Sequence, residues 1–266
     1  MAQQALPRRD ARLGRTFGED HAVQGVVLLL PGGLPRSTRR RSSRAAAAVL
    51  PLARRLVRAG ASPAGHPRGG PGAARRGEAL VAHVVHYRYR GWNGAEAHPV
   101  RDAEWALEEV RRRYGDVPVC LAGWDMGARA ALRAAGHPSV ASVLALAPWL
   151  PAVAEDGGAE PVRQLVGRRV LLVHGTDDEH TDPDLSYRLA ARAKKINPDV
   201  CRFEVHTDGH ALRQHRSEVL ALAEDFVTGT LCHRDFSRPV ADALAAPPPL
   251  GLRMPLAAGF GRSLRP

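Results

Sequence analysis

LAGWDMGARAA, residues Leu121 to Ala131, passes from a short apolar run through Gly-Trp-Asp-Met-Gly into an alanine-rich helical run. The frame Gly-x-Asp-x-Gly between a strand and a helix is that of a sharp turn that presents its central side chain. Gly123 and Gly127 give the turn room. Most such turns carry serine at the centre; here the residue is Asp125.

Outward from this turn, apolar strand-like runs alternate with amphipathic helical runs. GVVLLLP (Gly25–Pro31) is unbroken and suits a strand covered on both faces. Further strands are expected at 79–89, 117–123, 139–149, 168–175 and 200–206. Between them the pattern predicts helices over 45–60, with a bend at Pro51, over 103–115 behind an Asp102 cap, and over 126–136. Others are expected from Pro183, capped by Asp182, and over 211–228. Residues 61–78 read as an irregular Pro/Gly-rich loop. Such alternation predicts an α/β fold, a mostly parallel sheet with helices on both faces. Three segments are expected: an N-terminal extension (1–21), one α/β domain (22–232) and a Pro/Ala/Gly-rich disordered tail (233–266).

Composition narrows the function classes. No apolar run approaches the ~20 residues of a membrane helix, and the N-terminus has no apolar signal core. A soluble cytoplasmic protein is the expectation, with no membrane partner. The net charge is +11, yet Lys194 and Lys195 are the only lysines and arginine is spread along the chain. The dense run RSTRRRSSR (Arg36–Arg44) lacks interleaved aromatics, and Arg39 to Arg41 read as a solvated face. No nucleic-acid partner is expected. Cys120, Cys201 and Cys232 are scattered and suggest buried free thiols rather than a disulfide or zinc framework. Metal-ligand spacing such as HExxH is absent around His206, His210 and His215, so neither a metal nor a cofactor is expected.

In an open parallel sheet, ligands bind beyond the carboxyl ends of the strands. Those positions collect Gly32 and Gly33, Arg90 to Gly94, Asp125, Trp149, HGTDDE (His174–Glu179) and HTDGH (His206–His210). Nucleophile candidate, acid and histidine follow the chain order of an α/β-hydrolase. Over about residues 22 to 232 the chain resembles the α/β-hydrolase family. PGG resembles its oxyanion loop, GWDMG its elbow, HGTDD its acid loop and DGHA its histidine loop. The resemblance implies a cap-less hydrolase of a small-molecule substrate. Asp125, Asp178 and His210 would form the triad, with Asp177 as the alternative acid. The amides of Gly33 and Met126 would be the oxyanion donors. Gly32, Trp92, Asn93, Trp124 and Trp149 would line the substrate pocket.

Asp125 itself has three readings. It is a nucleophile toward an sp³ carbon, as in epoxide hydrolases and haloalkane dehalogenases, with histidine activating water against the resulting ester. Alternatively it has replaced serine on an esterase-like scaffold, where attack on an ester would give a high-energy anhydride, leaving His210 to activate water directly. Or it caps the following helix, on a binding protein without turnover. The interval 150–167 is too short for a separate cap domain. The tryptophans read equally as core or pocket residues, and His83 and His86 as packed strand residues. Substrate identity and oligomeric state are left open.

Overall fold

A computed structural model of the chain describes residues 9–39, 47–61, 79–155 and 157–261. The loop expected at 61–78 (apart from Ala61, which ends a helix), most of the basic run and the start of the helix expected from 45 lie outside these residues. Among these residues, eight strands form one sheet: β1 (Arg12–Leu13), β2 (Val23–Leu30), β3 (Ala79–His86), β4 (Val119–Trp124), β5 (Val140–Leu146), β6 (Arg169–Gly175), β7 (Val200–Val205) and β8 (Met254–Pro255). Their spatial order is β1-β3-β2-β4-β5-β6-β7-β8. Only β1 runs antiparallel, paired with β3. The chain first steps from β2 to β3 and then returns to place β4 on the other side of β2. That reversal opens a crevice at the carboxyl ends of β2 and β4.

Among the described residues, six helices cover the sheet: α1 (Leu50–Ala61), α2 (His98–Tyr114), α3 (Met126–Ala134), α4 (Pro183–Lys194), α5 (Arg216–Leu231) and α6 (Arg238–Ala245). Along β2 the side chains alternate between two cores, as a period of two requires. Val26, Leu28 and Leu30 pack with α2, α3 and α4. Val27 and Leu29 pack with α1, α5 and α6. Burial on both faces explains why this strand is continuously apolar.

Several local expectations shift. Pro51 sits in the first turn of α1, where its missing N–H costs nothing, and so marks a start rather than a bend. Asp182 caps α4 as expected, accepting from the amide of Asp184. Asp102 lies inside α2 instead of capping it. The helix begins one turn earlier, with Pro99 in its first turn. Asp102 is fully buried and accepts from the backbone and guanidinium of Arg88, tying the end of β3 to α2.

The expected disordered tail is ordered through residue 261. Val240, Ala243, Leu252 and Leu256 are buried, and β8 pairs with β7. The otherwise open edge of β7 is thereby covered. Two cations from the sheet domain hold tail carbonyls: Arg202 donates to Leu252 O and Lys194 to Leu244 O. The N-terminal extension likewise supplies β1 to the opposite edge.

Candidate active site

Asp125 follows β4 and precedes α3, with φ 55° and ψ −122°. A non-glycine residue held in this sparsely populated region costs about 1–3 kcal/mol and persists only where its surroundings impose it. Here the flanking contacts impose it. A Cβ on Gly127 would lie 1.9 Å from Leu30 O, and one on Gly123 would lie 2.3 Å from Gly127 O. Only glycines allow β2, β4 and α3 to approach this closely. The Asp125 side chain makes no capping hydrogen bond to α3. Its Oδ2 instead accepts from the amide of Gly33 at 3.2 Å, and the Met126 amide also faces the carboxylate. Burial pushes this carboxyl above the usual range, opposed by His210 and these two amides.

The loop after β7 carries His210. Its Nδ1 lies 2.9 Å from Asp178 Oδ2 and its Nε2 lies 3.8 Å from Asp125 Oδ1. An ionised carboxylate only accepts, so Nδ1 donates to Asp178 and Nε2 faces Asp125. Asp178 sits on the loop after β6. Burial acts to raise its pKa, but hydrogen bonds from His174, from the Thr181 amide and hydroxyl and from His210 outweigh it and hold the carboxyl well below the usual range. The acid beside His210 is therefore Asp178. Asp177 is exposed and accepts from the Thr176 hydroxyl instead.

Two residues that sequence reasoning did not assign organise these loops. His174, fully buried on β6, bridges Ser186 and Asp178 through its two ring nitrogens at 2.9 and 3.1 Å. Asp208 accepts from the amides of Gly209, Arg213 and His215, folding the turn that presents His210. An Asp-Gly pair at a loop start was the available signal for that turn. Gly175 lets the two loops meet, since a Cβ there would lie 2.2 Å from Asp208 O.

A cavity of about 480 Å³ opens beside Asp125 and His210. Gly32, Gly33 and Trp124 line it, together with Val49, Leu52, Leu146, Leu212 and Leu220. Arg90, Arg213 and Arg216 add positive charge to the wall. Trp92, Asn93 and Trp149 do not line it. Trp92 is buried with its ring centroid 4.0 Å from the Arg129 guanidinium carbon, and Trp149 meets it edge-on at 5.9 Å. This pair covers a buried cation that also binds Glu155 and Glu160 through four hydrogen bonds. Asn93 joins the loops after β2 and β3 through both main-chain groups of Ser37.

No protein-family model matches the sequence, and no curated protein matches it. Solved structures do match in three dimensions. An esterase of Pyrococcus furiosus, Pf2001, superimposes with a TM-score of 0.60 at 14% identity, over 83% of this chain and 86% of that one. XC6422 from Xanthomonas campestris, described as an a/b serine hydrolase without lid, gives 0.53 at 19% identity over 83% and 88%. An alpha-beta serine hydrolase homologue from Coxiella burnetii gives 0.52 at 17% over 80% and 89%. With the strand order and the elbow between β4 and α3, these likenesses establish the α/β-hydrolase fold.

Proposed function

We propose that the protein is a hydrolase of a small organic substrate in which Asp125, Asp178 and His210 act as a triad. The observation that carries this reading is the unrelieved strain and burial of Asp125, in line with His210 and Asp178 and with no capping bond to account for it. A residue serving only to cap α3 would accept from the amides two or three residues further on; Asp125 makes no such bond, and the helical amide it meets is that of the adjacent Met126.

The arrangement suits attack at a saturated carbon, as in an epoxide or a haloalkane. Oδ1, which faces His210, forms the bond to carbon as the C–halogen bond breaks and halide departs to solvent, or as the epoxide C–O bond breaks and its oxygen takes a proton from water. Oδ2 then becomes the carbonyl oxygen of an alkyl ester. It already lies against the amide of Gly33, and the Met126 amide faces the same carboxylate. Those donors stabilise the negative charge that develops on it when water attacks Cγ. His210 Nε2 takes a proton from that water, and Asp178 stabilises the imidazolium. On collapse His210 gives its proton to the departing alcohol oxygen, and the new Asp125 carboxyl loses its own proton to solvent and is restored. The apolar cavity walls favour an apolar substrate body, and the three arginines favour an acceptor-rich or anionic end.

A second reading, ester cleavage by water that His210 activates directly, is favoured by the likeness to esterases and serine hydrolases. Intact mass of a His210→Ala variant, after incubation with pooled epoxides, haloalkanes and activated esters, separates the two. The covalent route predicts a stable adduct on the Asp125 peptide. Wild-type turnover without an adduct would move the assignment to direct water attack. If neither adduct nor turnover occurs, the hydrolase reading is wrong and the scaffold serves binding.

A further inference from the structure

We infer that Asp125, His180 and His210 form a binding site for a divalent first-row transition ion, Zn²⁺ being its chemical type. One ligand atom from each residue lies within 4.8 Å of the other two. The sequence pattern did not suggest this set, because His180 lies on the loop after β6 while Asp125 and His210 follow β4 and β7. The histidines considered from sequence do not join it: His206 is exposed, and His215 pairs with Asp208.

The chemistry of the set is specific. Two imidazoles and one carboxylate select zinc-like ions over Mg²⁺ or Ca²⁺, which want more oxygen ligands. Bond lengths near 2.0–2.1 Å place neighbouring ligand atoms of a tetrahedral ion roughly 3.3 Å apart. His210 Nε2 and Asp125 Oδ1, at 3.8 Å, need only about half an ångström of contraction. The remaining adjustment falls on His180, which is the residue able to make it. Its side chain is exposed, and its ring has no hydrogen bond among the described residues. The ring stands edge-on to that of His210, with centroids 4.6 Å apart.

The outer partners are those a metal ligand requires. Histidine ligands almost always donate their second ring N–H to a carboxylate or carbonyl. His210 Nδ1 does so to Asp178, which aims the Nε2 lone pair at the centre of the set. Asp125 is fixed in the same way, its Oδ2 held by Gly33 so that Oδ1 faces inward. Asp125 and His210 both border the cavity, so the fourth position of a tetrahedral ion opens toward it. The inference does not rest on the proposed hydrolysis. The ion takes Oδ1 of Asp125 and Nε2 of His210, the two atoms the covalent route uses, so metal loading and covalent turnover exclude each other.

The test is calorimetric titration of tag-free, chelator-stripped full-length protein with Zn²⁺, followed by Co²⁺ absorption spectroscopy. One equivalent should bind at micromolar concentration or tighter, and Co²⁺ should give the intense visible bands of a four-coordinate site. His180→Ala should weaken binding at least tenfold, with an unchanged melting temperature in the absence of metal. His206→Ala should bind as the parent does. Absence of binding up to 1 mM Zn²⁺ (about the weak limit of affinity for a specific site) would overturn the inference. So would a His180→Ala variant that binds like the parent, or a loss of binding in His206→Ala.

Discussion

Replacing Gly127 with alanine tests the geometry from which every statement about Asp125 follows. The added Cβ would meet Leu30 O at 1.9 Å, Leu30 C at 2.5 Å and Pro31 O at 2.6 Å. All three are backbone atoms, so no side chain can swing aside. Restoring ordinary contact requires β2 and the start of α3 to separate by about 1.5 Å, and overpacking of this kind costs about 1–3 kcal/mol. For a domain of this size the melting temperature should fall by roughly 2–12 °C. The same displacement takes the Gly33 amide beyond hydrogen-bonding reach of Asp125 Oδ2, now 3.2 Å away. Any turnover should then fall about a hundredfold, the usual effect of an ångström-scale misplacement. Gly136→Ala is the matched control, because its Cβ would meet only Gln164 Cβ at 3.4 Å. Urea denaturation followed by tryptophan fluorescence reads both variants. If Gly127→Ala unfolds at the same midpoint as Gly136→Ala, the close approach of β2 to α3 is wrong, and with it the placement of Asp125.

Three further outcomes are expected. Arg129→Ala should lose about 1–3 kcal/mol in urea denaturation, because it removes two hydrogen bonds to the buried Glu160, which keeps Arg133 as its partner; no measurable loss would mean that the cation is not enclosed. Leu252→Ala should cost about 2–5 kcal/mol by the same assay, whereas a disordered tail would leave stability untouched. Burial pushes the thiols of Cys120 and Cys201 up to about 12, so neither should form thiolate or react with iodoacetamide in the native state between about pH 7 and 9. Peptide mapping that finds either cysteine alkylated without denaturant would contradict their burial.

Much of the candidate site was legible because the α/β topology turns chain order into spatial order. Each strand delivers its following residues to the same rim, so Gly32, Gly33, Asp125, Asp178 and His210 converge once the alternation is read correctly. Lateral position along that rim was not legible. Trp92 and Trp149 follow strands just as Asp125 does. They fall on the opposite side of the sheet because α3 carries a buried Arg129 that needs covering, and an arginine in an alanine-rich helix reads by itself as a surface residue. Asn93 was a plausible pocket residue in sequence, but two of its side-chain hydrogen bonds run to Ser37, 56 residues away.

What the sequence determined by itself was local and periodic: the apolar runs of β2 to β7, the turn around Asp125, the cap at Asp182 and the order of the polar loops. These follow from backbone sterics and from the periods of helix and strand, which act over a few residues. The tertiary structure alone decided what depends on distant partners. It set the tail on the edge of β7, where Arg202 and Lys194 receive its carbonyls. It chose Asp178 over Asp177 by satisfying one carboxylate and exposing the other. It also brought His180 beside Asp125 and His210, because two loops from separate strands meet there through a glycine that leaves them room.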